Sequence, residues 1–293
     1  MAGCDNRSVP LSSSIVGIRS SPIGTTVDAR WLMAYAAGVG DTDPCLFATE
    51  DAAGVVAHPL FPVCVEWQTG QAVSPPGAHG LTLDELRRGV HLAHDLVLHR
   101  PLRGPVRVTT EAEIVGVARH RSGAVLTTRI DATADSVPQW TTWMTSLLRG
   151  VDVLGDDRTA DQPLPRPPVQ GSPTTPWALP IAAGAAHVYT ECARIWNPIH
   201  TDDTVAHAAG LPGTILHGTA TLAMAVSTVT ARVGARPEDV ERVAGRFGAM
   251  VPMPTTLTVR VADAGPDGVA FDVLTADGRP AVRDGWVGLR SRR

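Results

Sequence analysis

Tyr189-Thr-Glu-Cys-Ala-Arg-Ile-Trp-Asn-Pro-Ile-His200-Thr-Asp-Asp203, followed after a loop by Ile215-Leu-His-Gly218, is the stretch on which the reading of this chain turns. Beyond it Leu222, Ala225, Val226, Val229 and Val233 recur at three-to-four spacing. That period predicts one helix over Thr219 to Val233, opened by His217-Gly218 and buried along one face. Asp202, just before the short polar run Asp203 to Ala209, is placed to cap a second helix.

The same order of elements occurs earlier in the chain, a repeat that constrains the fold. A helical stretch from Val27 to Gly38 leads to Gly40-Asp41-Thr42-Asp43-Pro44, and His58-Pro59 opens an apolar run to Gly70. Strand-like runs follow each helix: Val90 to Leu98, Val106 to Val117, Ala124 to Ala132 and Trp140 to Leu148, then Val243 to Phe247, Thr256 to Val261, Val269 to Leu274 and Ala281 to Leu289. Thr256-Leu-Thr-Val-Arg-Val261 alternates as an antiparallel strand with one wet face does, and Asp267-Gly268 and Asp277-Gly278 are hairpin signals. Between the repeats, residues 152–176 are rich in Pro and Gly without periodicity and read as a linker. The expected organisation is a tail over 1–20, a first domain over 21–151, and a second domain over 177–293 that bears the motif. A helix followed by antiparallel strands, twice over, is an α+β pattern in which a sheet wraps a helix.

Gly-Asp-x-Asn-Pro-Leu/Ile-His-x-Asp before a His-Gly helix start is the signature of the MaoC-like (R)-specific enoyl-thioester hydratases, or hydratase 2, and this chain resembles it at Asn197, Pro198, His200, Asp202 and Gly218. The resemblance extends over nearly the whole chain after about residue 20, with softer matches at His58-Pro-Leu-Phe-Pro62 and His99-Arg-Pro-Leu102. It implies a double hot-dog fold. It also implies His200 as catalytic histidine, Asn197 as orienting a water, and a backbone amide near Gly218 as oxyanion hole, a role suited to the unpaired amides of a helix start. Ile195 stands where the family carries its catalytic aspartate, and the first repeat, in Gly40-Asp41, keeps an aspartate but has Leu46 in place of the histidine.

Hydrating an enoyl thioester takes a base for water, an acid for the alpha carbon and donors for the thioester oxygen. Isoleucine supplies none of these, so three compensations are open. Asp41 is the relocated carboxylate; or His200 works alone, helped by Asn197 and by Glu191 or Arg194; or Ile195 and Trp196 keep the pocket dry for another reaction. Arg194, Trp196, Ile195, Asp202 and His217 are accordingly expected to touch substrate or to support the site. His91, His94 and His99 are expected on both faces of one strand, unable to converge on a metal.

An apolar fraction of 44% with 18% charge fits a globular chain, and a net charge of −4 without basic blocks argues against a nucleic-acid surface. There is no lysine, which excludes Schiff-base and lysine-base mechanisms. Cys4, Cys45, Cys64 and Cys192 lack metal or redox spacing. The expectation is a cytoplasmic hydro-lyase without cofactor or metal, acting on trans-2-enoyl or (R)-3-hydroxyacyl groups carried by coenzyme A or acyl carrier protein. No membrane partner is expected, and a homodimer is open. The rival is a repurposed enzyme that isomerises or cyclises a biosynthetic intermediate; a further one is a non-catalytic acyl-binding or partner subunit.

Overall fold

The computed structural model describes residues 10–75, 77–82, 85–86, 89–165, 175–262, 265 and 267–290. Residues 1–9 of the expected tail, Cys4 among them, and residues 166–174 of the expected linker lie outside them.

The first half runs β1 (Leu11–Ser12), β2 (Ile23–Val27), α1 (Ala29–Gly38), β3 (Val55–Val56), α2 (Pro62–Val73), β4 (Gly89–Leu98), β5 (Arg103–Gly104), β6 (Val106–His120), β7 (Gly123–Ala134), β8 (Val137–Arg149), β9 (Val153–Leu154) and β10 (Arg158–Thr159). The second runs β11 (Thr175–Ile181), α3 (Ala185–Ala193), α4 (Asp203–Ala208), α5 (Gly218–Val233), β12 (Val240–Phe247), β13 (Thr255–Val261), β14 (Gly268–Leu274) and β15 (Pro280–Leu289).

Alternation decides which face each strand buries. β7 reads half-buried, buried along its whole length, as a strand between a core and solvent must. The β7–β8 hairpin turns on Asp135 and Ser136, both at positive φ (48° and 62°), the twist a tight hairpin requires. The strand order is β2-β6-β7-β8-β4 in the first half and β11-β13-β14-β15-β12 in the second. Numbered within each half, both are 1-3-4-5-2. The two meet where β4 pairs antiparallel with β12, Val97 opposite Arg242 through Ala93 opposite Arg246, so one sheet crosses both halves. This is the double hot-dog.

The sheet wraps its helices because they carry the matching apolar stripes. Leu222, Ala225, Val226 and Val229 of α5 are fully buried, and removing one such leucine from water is worth about 2 kcal/mol. Gly234, at φ 65°, closes the helix. One continuous core contains Trp31, Tyr35 and Phe61 of the first half with Tyr189, Leu222 and Phe271 of the second. α1 packs on α3 so closely that a Cβ on Gly38 would come 2.7 Å from the Cys192 Cβ. Arg242 of β12 and Asp95 of β4 add a two-bond ion pair across the seam, at 2.8 and 2.9 Å.

Two stretches differ from the sequence reading. Within the expected tail, β1 pairs in parallel with β9, and Leu11 and Ile15 are buried, because two residues of strand suffice to close that edge of the core. Within the expected linker, β10 pairs with β6, and β11 already begins at Thr175. Short edge strands carry too few residues to show a period.

Candidate functional site

The motif forms where α3 stops. Its last turn ends on Arg194 in the left-handed region at φ 58°, and Ile195 then enters an irregular turn. Asn197 accepts a bond from the Ile199 amide through its side chain (3.4 Å), with Pro198 fixing the next residue, and this shapes a single 3-10 turn ending on His200. Asp202 caps α4 by accepting from the Thr204 and Val205 amides. The sequence of caps and turns thus places the His200 ring against the segment that leads into α5.

The His200 ring has a defined tautomer. Nδ1 lies 2.8 Å from the Ile215 carbonyl oxygen, which can only accept, so Nδ1 carries the proton and Nε2 carries the lone pair. Burial holds this imidazole below its ordinary pKa, opposed by that carbonyl. It is therefore a neutral base at physiological pH. Among the described residues no aspartate or glutamate oxygen lies within 4.0 Å of its nitrogens. Its neighbour is His217, stacked on it with ring centroids 3.6 Å apart and planes at 26°. His217 in turn contacts the Thr190 hydroxyl (3.3 Å) and the Tyr189 ring (4.9 Å), and burial and then His200 hold its pKa far down.

α5 starts immediately after His217 with no side chain capping it. Its first amides are thus free to face a ligand oxygen. A Cβ on Gly218 would come 3.1 Å from the Phe247 ring, so any larger residue there would push that ring aside. The Tyr189 hydroxyl donates to the Thr219 hydroxyl (3.0 Å), tying α3 to this helix start.

The first half holds the counterpart at identical spacing: Tyr35, Gly40, Asp41, Pro44 and Leu46 match Tyr189, Arg194, Ile195, Pro198 and His200. The equivalence is physical. Tyr35 and Tyr189 rings sit 5.9 Å apart, Gly40 shares the positive φ of Arg194 (73°), and His58 lies against Tyr35 as His217 lies against Tyr189. Asp41 makes no ion pair with His200. Its carboxylate accepts from the Asp43 amide (3.0 Å) and faces His58 Nε2 at 3.7 Å. His58 Nδ1 accepts from the Leu60 amide, so its proton is on Nε2, which bonds Ser227 of α5 at 3.0 Å. Burial keeps His58 neutral despite Asp41, and with Nδ1 engaged its ring offers no free lone pair. The second half has the base, the first half the carboxylate, and each stays with its own histidine neighbour.

Arg194 lays its guanidinium on the Trp31 ring, 4.0 Å from the centroid, and Trp31 donates to the Cys192 carbonyl. A cavity of about 230 Å³ opens beside the motif, lined by His187, Thr190, Glu191, Trp196, Pro198 and Thr201. Trp196 is 56% exposed at its rim, whereas Ile195 is 5% exposed. Sequence reasoning missed Thr190, Tyr189 and Trp31; the shared offset of Tyr35 and Tyr189 from the two turns was the available signal. It also placed His91 and His94 on opposite faces of their strand. A bulge at Leu92 brings their rings within 5.4 Å instead. Among the described residues no cluster of three or more His, Cys, Asp or Glu is arranged to hold a metal, and no helix is long and apolar enough to cross a membrane.

Comparison with known proteins bears on both halves. Residues 167–276 match the MaoC like domain, and residues 14–137 match the FAS1-like dehydratase domain region. The 3-hydroxyacyl-thioester dehydratase X of Mycobacterium tuberculosis is 27% identical over 177 residues, 59% of each chain. An enoyl-CoA hydratase of the same organism is 28% identical over 200 residues, 66% of this chain and 68% of that one. The alignment thus spans less than two thirds of the first relative. The crystal structure of a MaoC-like dehydratase from Phytophthora capsici superposes with a TM-score of 0.80 at 20% identity, covering 95% of this chain and 98% of that one.

Proposed function

We propose that this double hot-dog chain, whose halves match the MaoC like domain and the FAS1-like dehydratase region, is a hydro-lyase acting on an acyl thioester, interconverting a trans-2-enoyl and an (R)-3-hydroxyacyl group. The observation that carries the reading is the fixed tautomer of His200: its Nδ1–H is held by Ile215, and its Nε2 lone pair stands beside an uncapped helix start.

In the hydration direction Nε2 removes a proton from water as its oxygen bonds to C3. Electron density moves onto the thioester oxygen, where the amides around Gly218 stabilise it. The imidazolium then returns a proton to C2. One histidine thus serves as base and acid in turn, with Asn197, whose NH2 has no protein partner among the described residues, orienting the water. The cavity at Glu191, Trp196 and Pro198 is the entry for the thioester handle, whether coenzyme A or acyl carrier protein. The names of the two mycobacterial relatives support this substrate class.

One observation favours a second reading. Ile195 is buried where the first half holds Asp41, which suits a water-free isomerisation or cyclisation. Replacing His200 with alanine separates an enzyme from a binder: turnover of a trans-2-enoyl-CoA is lost while affinity for the saturated acyl-CoA stays within about threefold. Turnover that survives in His200→Ala refutes the role given to this residue.

A further inference from the structure

β4 carries two histidines at positions 91 and 94, which a regular strand would point to opposite faces. His91 pairs with Ser146 and Ala93 with Thr145, so Leu92 is an extra residue and the two rings come to one side. That side is the one facing the helices. His94 sits opposite Gly245, whose added Cβ would meet Leu222 of α5 at 3.2 Å. The His91 ring lies 4.8 Å from Phe247, and Phe247 packs on Gly218. The pair therefore stands behind the helix start at which the thioester is placed.

His94 is 2% exposed, and neither of its ring nitrogens has a hydrogen-bond partner. A polar group buried without a partner weakens the fold, and a site that lacks its ligand is one place where such a group is found. Burial pushes the pKa of His91 to about 4 and of His94 to about 3, so both rings are neutral. His91 donates through Nε2 to the Ala93 carbonyl (3.0 Å), which leaves its lone pair on Nδ1.

We propose that His94, aided by His91, forms a subsite that reads a second hydroxyl group, beyond C3, on the acyl part of the substrate. A neutral imidazole presents one N–H and one lone pair. A hydroxyl answers both, whereas a ketone or a carboxylate, each of which only accepts, answers the donor alone. The substrate is then an oxygenated acyl thioester rather than a plain alkyl one, an inference that rests on the thioester reading above.

The test is calorimetric binding of saturated acyl-CoA thioesters from butanoyl to decanoyl, each with and without a terminal hydroxyl, to the wild-type protein and to His94→Leu. Lengthening the chain moves the hydroxyl along the acyl path. At one chain length the hydroxylated form binds the wild type at least roughly tenfold more tightly, and His94→Leu abolishes that ratio while binding the plain form within about threefold. A ratio near one at every length, or a ratio unchanged in His94→Leu, overturns the subsite. His94→Phe, which keeps a ring in the space, serves if the leucine variant does not fold. Turnover of the matching plain trans-2-enoyl-CoA is measured alongside. Turnover without preference overturns the subsite alone, preference without turnover overturns the hydro-lyase reading alone, and binding of no thioester overturns both.

Discussion

Restoring a carboxylate at position 195 tests how the site works without one. Asp41 shows that this turn can hold an aspartate: at 9% exposure it accepts from the amide two residues on and faces its histidine at 3.7 Å. In Ile195→Asp the corresponding amide is that of Asn197 and the corresponding histidine is His217, stacked on His200. Losing the buried isoleucine costs about 2–3 kcal/mol, and the new amide bond returns about 1 kcal/mol. The expected net loss is about 1–2 kcal/mol, a fall in Tm of a few degrees. Against this, a second group able to hold the water and pass a proton raises the rate by about 10²–10⁴. The assay is kcat/KM for hydration of a trans-2-enoyl-CoA, with thermal unfolding to show that the variant is native. A folded variant with a gain below about threefold refutes the idea that position 195 limits the chemistry.

Further outcomes follow from the same geometry. Because burial lowers the His200 pKa and the neutral ring is the active form, kcat/KM should stay level as pH falls through 6.5 and decline only below it; a midpoint above 6.5 contradicts the burial argument. His91 and His94 are held neutral with folded pKa values of about 4 and about 3, below the unfolded value of 6.5, so the unfolded chain binds more protons between these limits. Stability is full above 6.5 and is lost as pH falls from there toward 4, by about 1.4 kcal/mol per pH unit for each ring; denaturant titrations at pH 7.5 and 5 read this, and replacing both rings by leucine removes their part of the slope. Gly38→Ala places a methyl 2.7 Å from the Cys192 Cβ, and the resulting separation of α1 from α3 should cost about 1–3 kcal/mol in urea unfolding. An unchanged midpoint would show that these helices do not define the contact between halves.

The architecture was legible because both repeats carry strong periods. The α5 stripe and the alternation in β13 leave few alternatives, and the observed strands bracket each predicted run by a few residues. What escaped was whatever depends on a partner distant in sequence. β1 and β9 are two residues each and exist only because they meet. The bulge at Leu92 is set by its register with β8, so counting along β4 alone sends His91 and His94 apart. Within the site, the Asn197-to-His200 turn and the Asp202 cap follow from local chemistry and could be read directly. The surroundings of Asp41 could not, since its neighbour His58 is fixed by a loop and by Ser227 from the other half.

The central claim is that His200 adds water to, or removes it from, an acyl thioester. The most direct measurement is the mass of the product formed from a trans-2-enoyl-CoA in ¹⁸O-enriched water, by the wild type and by His200→Gln. The account predicts a product heavier by one labelled water with the wild type and essentially none with the variant. A product of unchanged mass, or a hydrated product formed equally well by His200→Gln, contradicts it.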